Sequence, residues 1–200
     1  MFANATMAGL LRPRRVSLAG LYNLTLVILG SLSIGFSAQL AIQLPFSPIP
    51  ITAQTFAVLM IGTLFGARLG SLSVIAYIIE AAAGLPAFAL GRAGPHVLLG
   101  PTGGYLLGFI FAAYITGALA EKGWDRRAGT TVLAMVLGNT AIYTFGLLWL
   151  AALMGINKTV LVAGLYPFIV GDCLKILLAA IMLPSAWKLL RHLRPEAKQE

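Results

Sequence analysis

The sequence predicts an all-α membrane protein with six transmembrane helices, both termini cytoplasmic, and a Gly/Pro-rich outer loop between helices 3 and 4. Three observations predict it. Of 200 residues, 59% are hydrophobic and only 10% charged, against roughly 25% charged in an ordinary soluble domain. No charged residue occurs from Val16 to Ala67, which is room for two crossings of about 20 residues each. The basic residues then fall on alternate sides of the apolar blocks, as a cytoplasmic bias of Lys and Arg requires.

Each span follows from its flanks. Span 1 is expected over Leu18–Leu40, after Arg12, Arg14 and Arg15. These arginines imitate the start of a signal peptide, but the apolar run is much longer than the roughly 7–15 residues of such a segment, so an uncleaved first helix is expected. Pro45, Pro48 and Pro50 in LPFSPIPIT end that block and force a turn, because proline lacks the N–H a helix needs. Span 2 is expected over Ile51–Phe65 and span 3 over Leu69–Gly84, both short for a full crossing. Span 4 runs over Gly103–Leu119, span 5 over Thr131–Met154 and span 6 over Val160–Ala186. The whole chain, 1–200, reads as one membrane domain with a cytoplasmic N-terminal segment (1–17) and a cytoplasmic tail (188–200).

With the N-terminus inside, eleven of the 14 basic residues are cytoplasmic: Arg12, Arg14, Arg15, Arg68, Lys122, Arg126, Arg127, Lys188, Arg191, Arg194 and Lys198. Only Arg92 and Lys158 lie outside, and Lys175 falls within span 6. The net charge of +8 is thereby an orientation signal, and no nucleic-acid partner is needed to explain it.

Ionisable residues inside a span are costly and mark function by default. Three occur: Glu80 in span 3, and Asp172 and Lys175 in span 6. Asp172 and Lys175 are three apart and so share one side of a helix; the plainer reading is a neutralising pair that only locks packing. Glu80, Asp172, the loop residue Arg92, Thr52, Gln54 and Tyr105 all gather toward the outer face, which suggests capture of a solute from outside. Asn139 and Tyr143, four apart in span 5, share a face, although Asn139 reads equally well as a helix–helix hydrogen bond.

From Gly84 to Gly108 the chain holds seven Gly and three Pro in 25 residues. Such backbone reaches membrane depth only where protein or a water-filled cavity satisfies it, so it reads either as an exposed connector or as a lid carrying Arg92. Its GPTGG lacks the GK[ST] ending of a phosphate loop. The single Cys173 excludes a disulfide framework, no Cys or His spacing suggests a metal site, and no cofactor is implied. No catalytic constellation appears, so the protein reads as no enzyme, and with no ATPase motif it needs partners to power transport.

Three stretches carry a family resemblance: LPFSPIPITAQTFAVLMIGTLFGARLGSLSVIAYIIEAAAGLPAFA, then GPTGGYLLGF, then GDCLK, in that order over Leu44–Lys175. The chain resembles the BioY family, the biotin-specific substrate-binding S-components of energy-coupling factor (ECF) vitamin transporters. The resemblance implies six helices, capture of biotin at the outer side of a prokaryotic inner membrane, docking with a transmembrane T-component and two ABC ATPases, and no enzymatic activity. It implies site residues at Gly171, Asp172 and Lys175 of the GDxxK stretch, at Gly100, Gly103 and Tyr105 of GPTGGY, at Arg92 before it, and at Gln54 of the P-I-T-x-Q run. Biotin offers ureido N–H donors suited to Asp172, and a ureido oxygen and carboxylate suited to Lys175 or Arg92. Glu80 departs from the family pattern. So does helix 1, where Asn23 follows Ala19 by four and breaks the small-residue docking face. A stand-alone transporter or facilitator of a small organic anion, and a membrane scaffold with a structural ion pair, are the competing readings.

Overall fold

The computed structural model describes residues 5–13 and 15–193. Within the N-terminal segment a short helix forms, α1 (Met7–Leu10), capped by Thr6 Oγ1 accepting from Gly9 N–H at 3.2 Å. The long α2 (Val16–Gln39) follows, then a two-residue β1 (Ala41–Ile42) pairs antiparallel with β2 (Ile51–Thr52), Ala41 opposite Thr52. The proline-rich turn is held between them. Next come α3 (Gln54–Phe65), α4 (Ala67–Ala82), α5 (His96–Leu99), α6 (Gly103–Glu121), α7 (Ala128–Met154), α8 (Lys158–Gly164) and α9 (Tyr166–Leu193). A 3-10 turn at Ala89–Gly91 precedes α5, and another at Trp124–Arg126 precedes α7.

Among the described residues, four segments are long and apolar enough to cross a membrane: Leu18–Gln39, Gly103–Glu121, Ala128–Met154 and Lys158–Leu190. The shorter α3 is also apolar. Leu21, Leu24, Ile28, Leu32 and Phe36 of α2 are all exposed, a distribution that lipid tolerates and water does not.

The structure corrects three boundaries. Span 6 is not continuous: it breaks at Leu165 (φ −128°, ψ −60°), because Pro167 has no N–H to give to the carbonyl of Ala163 four residues back and its ring crowds that carbonyl. Helix α9 then runs to Leu193, past the expected boundary at Ala186 and into the expected tail. Helix α4 begins at Ala67, two residues early, where Gly66 turns the chain at φ 88° and Glu121 Oε1 accepts from Ala67 N–H at 2.9 Å. A carboxylate at a helix N-terminus satisfies an otherwise orphaned donor. Arg14, Arg194 and Lys198, and the side chain of Arg191, lie outside the described residues.

Helix α6 is the centre of the bundle, 61% buried along its membrane window against 22% for the α8–α9 segment. It packs on α3, α4 and α7. Small residues recur every four positions on its α7 side: Gly104, Gly108, Ala112 and Thr116. A Cβ on Gly108 would lie 2.8 Å from Ile142 Cα, so α6 and α7 meet backbone to backbone, the contact that small-xxx-small spacing permits in membranes.

At the α1 end, Asp125 is 1% exposed and accepts from Trp187 Nε1, while the Arg126 guanidinium lies 4.7 Å over the Trp187 ring. Burial holds the Asp125 carboxyl above the ordinary carboxylate range, with the Trp187 hydrogen bond opposing. A raised folded-state pKa gives stability that is complete below the ordinary range and is lost as pH rises through the folded value. Thermal unfolding is therefore expected to show the parent gaining stability relative to Asp125→Asn as pH is lowered from neutral toward the ordinary carboxylate range; a constant difference overturns the assignment.

Candidate functional site

A cavity opens among α3, α4, α6, α7 and α9. Much of its wall is apolar, with Phe88, Leu106, Phe109, Ile142 and Phe168 lining it. A few polar groups converge on this apolar space from two sides, the usual composition of a ligand pocket.

On one side stands the pair from α9. Lys175 Nζ lies 3.1 Å from Asp172 Oδ1, donates to Thr55 Oγ1 at 2.7 Å and to the Thr52 carbonyl at 2.9 Å. An ammonium has three protons, and these three partners use them all. Thr55 Oγ1 donates in turn to Asp172 Oδ1 at 3.2 Å, and the Tyr143 hydroxyl donates to Asp172 Oδ2. Asp172 is 5% exposed. Lys175, Tyr143 and Thr55 line the cavity, whereas Asp172 sits one layer behind them. Its charge thus reaches the cavity through the three side chains it orients. A buried network of this kind is rigid only while every member is satisfied.

On the other side, α3 opens at Gln54, whose N–H is accepted by Thr52 Oγ1 at 3.2 Å. The buried Gln54 amide donates to the Tyr77 hydroxyl at 2.8 Å, and Tyr77 meets Phe88 edge-on at 5.8 Å. Arg92 follows a turn in which Leu90 and Gly91 have φ 62° and 68°, and Gln39 of α2 pins that turn by donating to Phe88 O and accepting from Gly91 N–H. Among the described residues the Arg92 guanidinium donates only from Nε, to Ala89 O at 3.1 Å. Its other N–H donors remain for the cavity it lines.

The break between α8 and α9 leaves carbonyls without helical partners. Ser47, from the proline-rich turn, donates to Ala163 O at 2.7 Å, and the Tyr105 hydroxyl donates to Gly164 O at 2.8 Å. Tyr105 also stands edge-on to Tyr143 at 6.5 Å.

Of the sequence-derived candidates, Gln54, Arg92, Tyr105, Tyr143 and Lys175 line one cavity, with Asp172 behind. Gly100 and Gly103 contribute backbone: Gly100 O accepts from Trp149 Nε1 at 3.0 Å, and Gly103 lies too close to Leu98 O for any side chain. Asn139, 7% exposed, lies behind Lys175 beside Thr55, Met135 and Ile176. Glu80 is elsewhere, at the α2–α4 seam, where Oε1 accepts from Ser31 Oγ at 3.1 Å in a groove with Gln39 and Phe36. Sequence reasoning missed Ser47, Thr55, Tyr77 and Phe88. Among the described residues no three His, Cys, Asp or Glu side chains gather as metal ligands would.

Fold and site together define an α-helical membrane protein with a small-molecule cavity near one end of its bundle. Residues 7–192 match the BioY family, and the chain belongs to it. The biotin transporter BioY of Rhizobium etli is 37% identical over 148 residues, covering 70% of this chain and 79% of that protein. The biotin transporter BioY of Thermotoga maritima is 37% identical over 145 residues, covering 70% and 82%. The 2.1 Å crystal structure of the S-component for biotin from an ECF-type ABC transporter is similar with a TM-score of 0.74 at 27% identity, covering 87% of this chain and 95% of that one.

Proposed function

We propose that this chain is a biotin-binding S-component: it captures biotin from outside the cell and delivers it across a prokaryotic inner membrane with a T-component and two ABC ATPases. The observation that carries this reading is one apolar cavity with a hydrogen-bonded Asp172–Lys175 network on one side and a guanidinium with unspent donors on the other. Biotin has that distribution: a ureido ring with donors and an acceptor, an apolar middle and a terminal carboxylate. The whole chain forms one domain of six spans, α2, α3, α4, α6, α7 and α8–α9, with both termini cytoplasmic; the concentration of Arg12, Arg68, Arg126 and Arg127 around the α1 end supports that orientation. The Gly84–Gly108 segment then forms part of the outer cover, with Arg92 on it.

We assign the carboxylate to Arg92. All three Lys175 protons have protein partners, whereas Arg92 keeps a planar fork that matches a carboxylate. Tyr143 and Lys175, oriented by Asp172, serve the ureido ring, with Thr55 bridging them. Phe88, Phe109 and Phe168 enclose the apolar middle. Gln54 acts through Tyr77, and Tyr105 through the α8 end. Gly100 and Gly103 set the α6 entry, and Asn139 supports Lys175 from behind.

Isothermal titration of the detergent-purified chain tests this, with thiamine and riboflavin as controls. Saturable heat with biotin alone is expected; no heat with biotin overturns the reading. Proteoliposomes holding this chain without ATPases are expected to show no biotin accumulation, and uptake by the chain alone favours the stand-alone transporter. Because Glu80 bonds Ser31 away from the cavity, Glu80→Gln is expected to titrate like the parent, and a large loss of affinity puts Glu80 back in the site.

A further inference from the structure

Along the α2–α4 seam runs a second groove that shares no lining residue with the biotin cavity. Its α1 end is polar and basic: Arg12, beyond α1, and Arg68, on α4, both expose their side chains there beside Tyr22 and Asn23 of α2. Beyond these groups the walls turn apolar, Leu24 and Val27 of α2 facing Leu72 and Ile79 of α4. No carboxylate of the described residues lines any part of it.

The dimensions select an occupant. From Arg68 to Ile79 the α4 backbone rises about 16 Å at roughly 1.5 Å per residue, which is close to one leaflet, half of a hydrocarbon core about 30 Å thick. Two cations at one end of an apolar channel one leaflet deep complement a phospholipid and fit an apolar partner helix poorly.

We propose that this groove is a binding site for one anionic glycerophospholipid from the leaflet on the α1 side. The phosphate sits between Arg12 and Arg68, which offer it the bidentate fork that phosphate accepts. One acyl chain follows Leu24, Val27, Leu72 and Ile79. Basic pockets between transmembrane helices hold acidic headgroups by the same means. Bound there, the lipid ties α1, α2 and α4 together at the end opposite the proposed biotin entrance.

Native mass spectrometry of the full chain tests this, with the protein equilibrated against phosphatidylglycerol and phosphatidylcholine of matched chain length. One retained phosphatidylglycerol per chain is expected, with little phosphatidylcholine. Arg12→Gln/Arg68→Gln is expected to weaken retention about 30-fold, and Leu72→Trp to abolish it by filling the channel with both charges intact. Arg127→Gln, an exposed arginine outside the groove, is expected to retain lipid as the parent does. Biotin titration of each variant reports that it is folded and keeps this outcome separate from the transport reading. Equal retention of the two lipids, or unchanged retention by the double variant, overturns the site; loss of phosphatidylglycerol by Arg127→Gln does so too, since it reduces the effect to general surface charge.

Discussion

Lys175→Ala is expected to abolish biotin binding and to destabilise the protein by about 3–5 kcal/mol, the cost of leaving a buried charge without its partner. The size follows from what remains. Asp172, 5% exposed, keeps only Thr55 and Tyr143, and its charge loses its single cation within 4 Å among the described residues. Thr52 O and Thr55 Oγ1 lose their donor as well. Asp172→Asn is expected to abolish binding at a smaller cost, since an amide keeps an acceptor for Tyr143. The variant that separates site from scaffold is Asp172→Asn/Lys175→Met. It removes both charges at nearly constant volume, so thermal stability is expected to recover toward the parent while biotin titration stays silent. Binding by Lys175→Ala equal to the parent disproves the site assignment. Recovery of binding along with stability in the double variant reduces the pair to packing.

Gly108→Leu is expected to have the other large effect, by acting on the frame rather than on the site. The new Cβ would lie 2.8 Å from Ile142 Cα and 3.0 Å from Ile142 O, so backbone must move. Overpacking costs roughly 1–3 kcal/mol where side chains can adjust, and here they cannot. Tyr105, Leu106 and Phe109 line the cavity from α6, while Ile142 and Tyr143 line it from α7. Separating the two helices pulls these walls apart, and affinity is expected to fall together with melting temperature. Gly20→Ala is the control: a Cβ there meets nothing within 4 Å, and alanine in a helix interior is favoured over glycine by about 0.5–1 kcal/mol. Equal destabilisation by both substitutions shows that the α6–α7 contact is not special.

The charged half of the site was legible because charge is rare in this chain. Asp172 and Lys175 announce themselves at i, i+3 inside an apolar run, and Arg92 interrupts a Gly/Pro loop. Thr55 and Tyr77 were not legible, since a neutral residue inside a helix that is apolar all round carries no periodic signal of the face it presents, and Phe88 sits in an irregular loop that has no period at all. Glu80 shows the reverse error. Its charge marked it, but spacing cannot tell whether a residue near the edge of a buried face turns inward with Tyr77 or sideways to Ser31. The break at Leu165 was readable from Pro167, yet continuous hydropathy across it hid the proline. The repeat Gly104-x3-Gly108 was readable too, since only small residues allow such an approach. What no pattern encodes is the layering that sets Asp172 behind Tyr143 and Lys175, because it depends on how three helices converge.

The gap between α8 and α9 bears on local motion. Ser47 and Tyr105 each hold one carbonyl of α8, and a neutral hydrogen bond is worth about 0.5–1.5 kcal/mol net. Releasing both therefore costs on the order of 1–3 kcal/mol, a difference that leaves the released form at roughly 0.5–15% of molecules at any moment. Because Tyr105 also lines the cavity, loosening of this break is expected to loosen one wall of the site without unfolding a span.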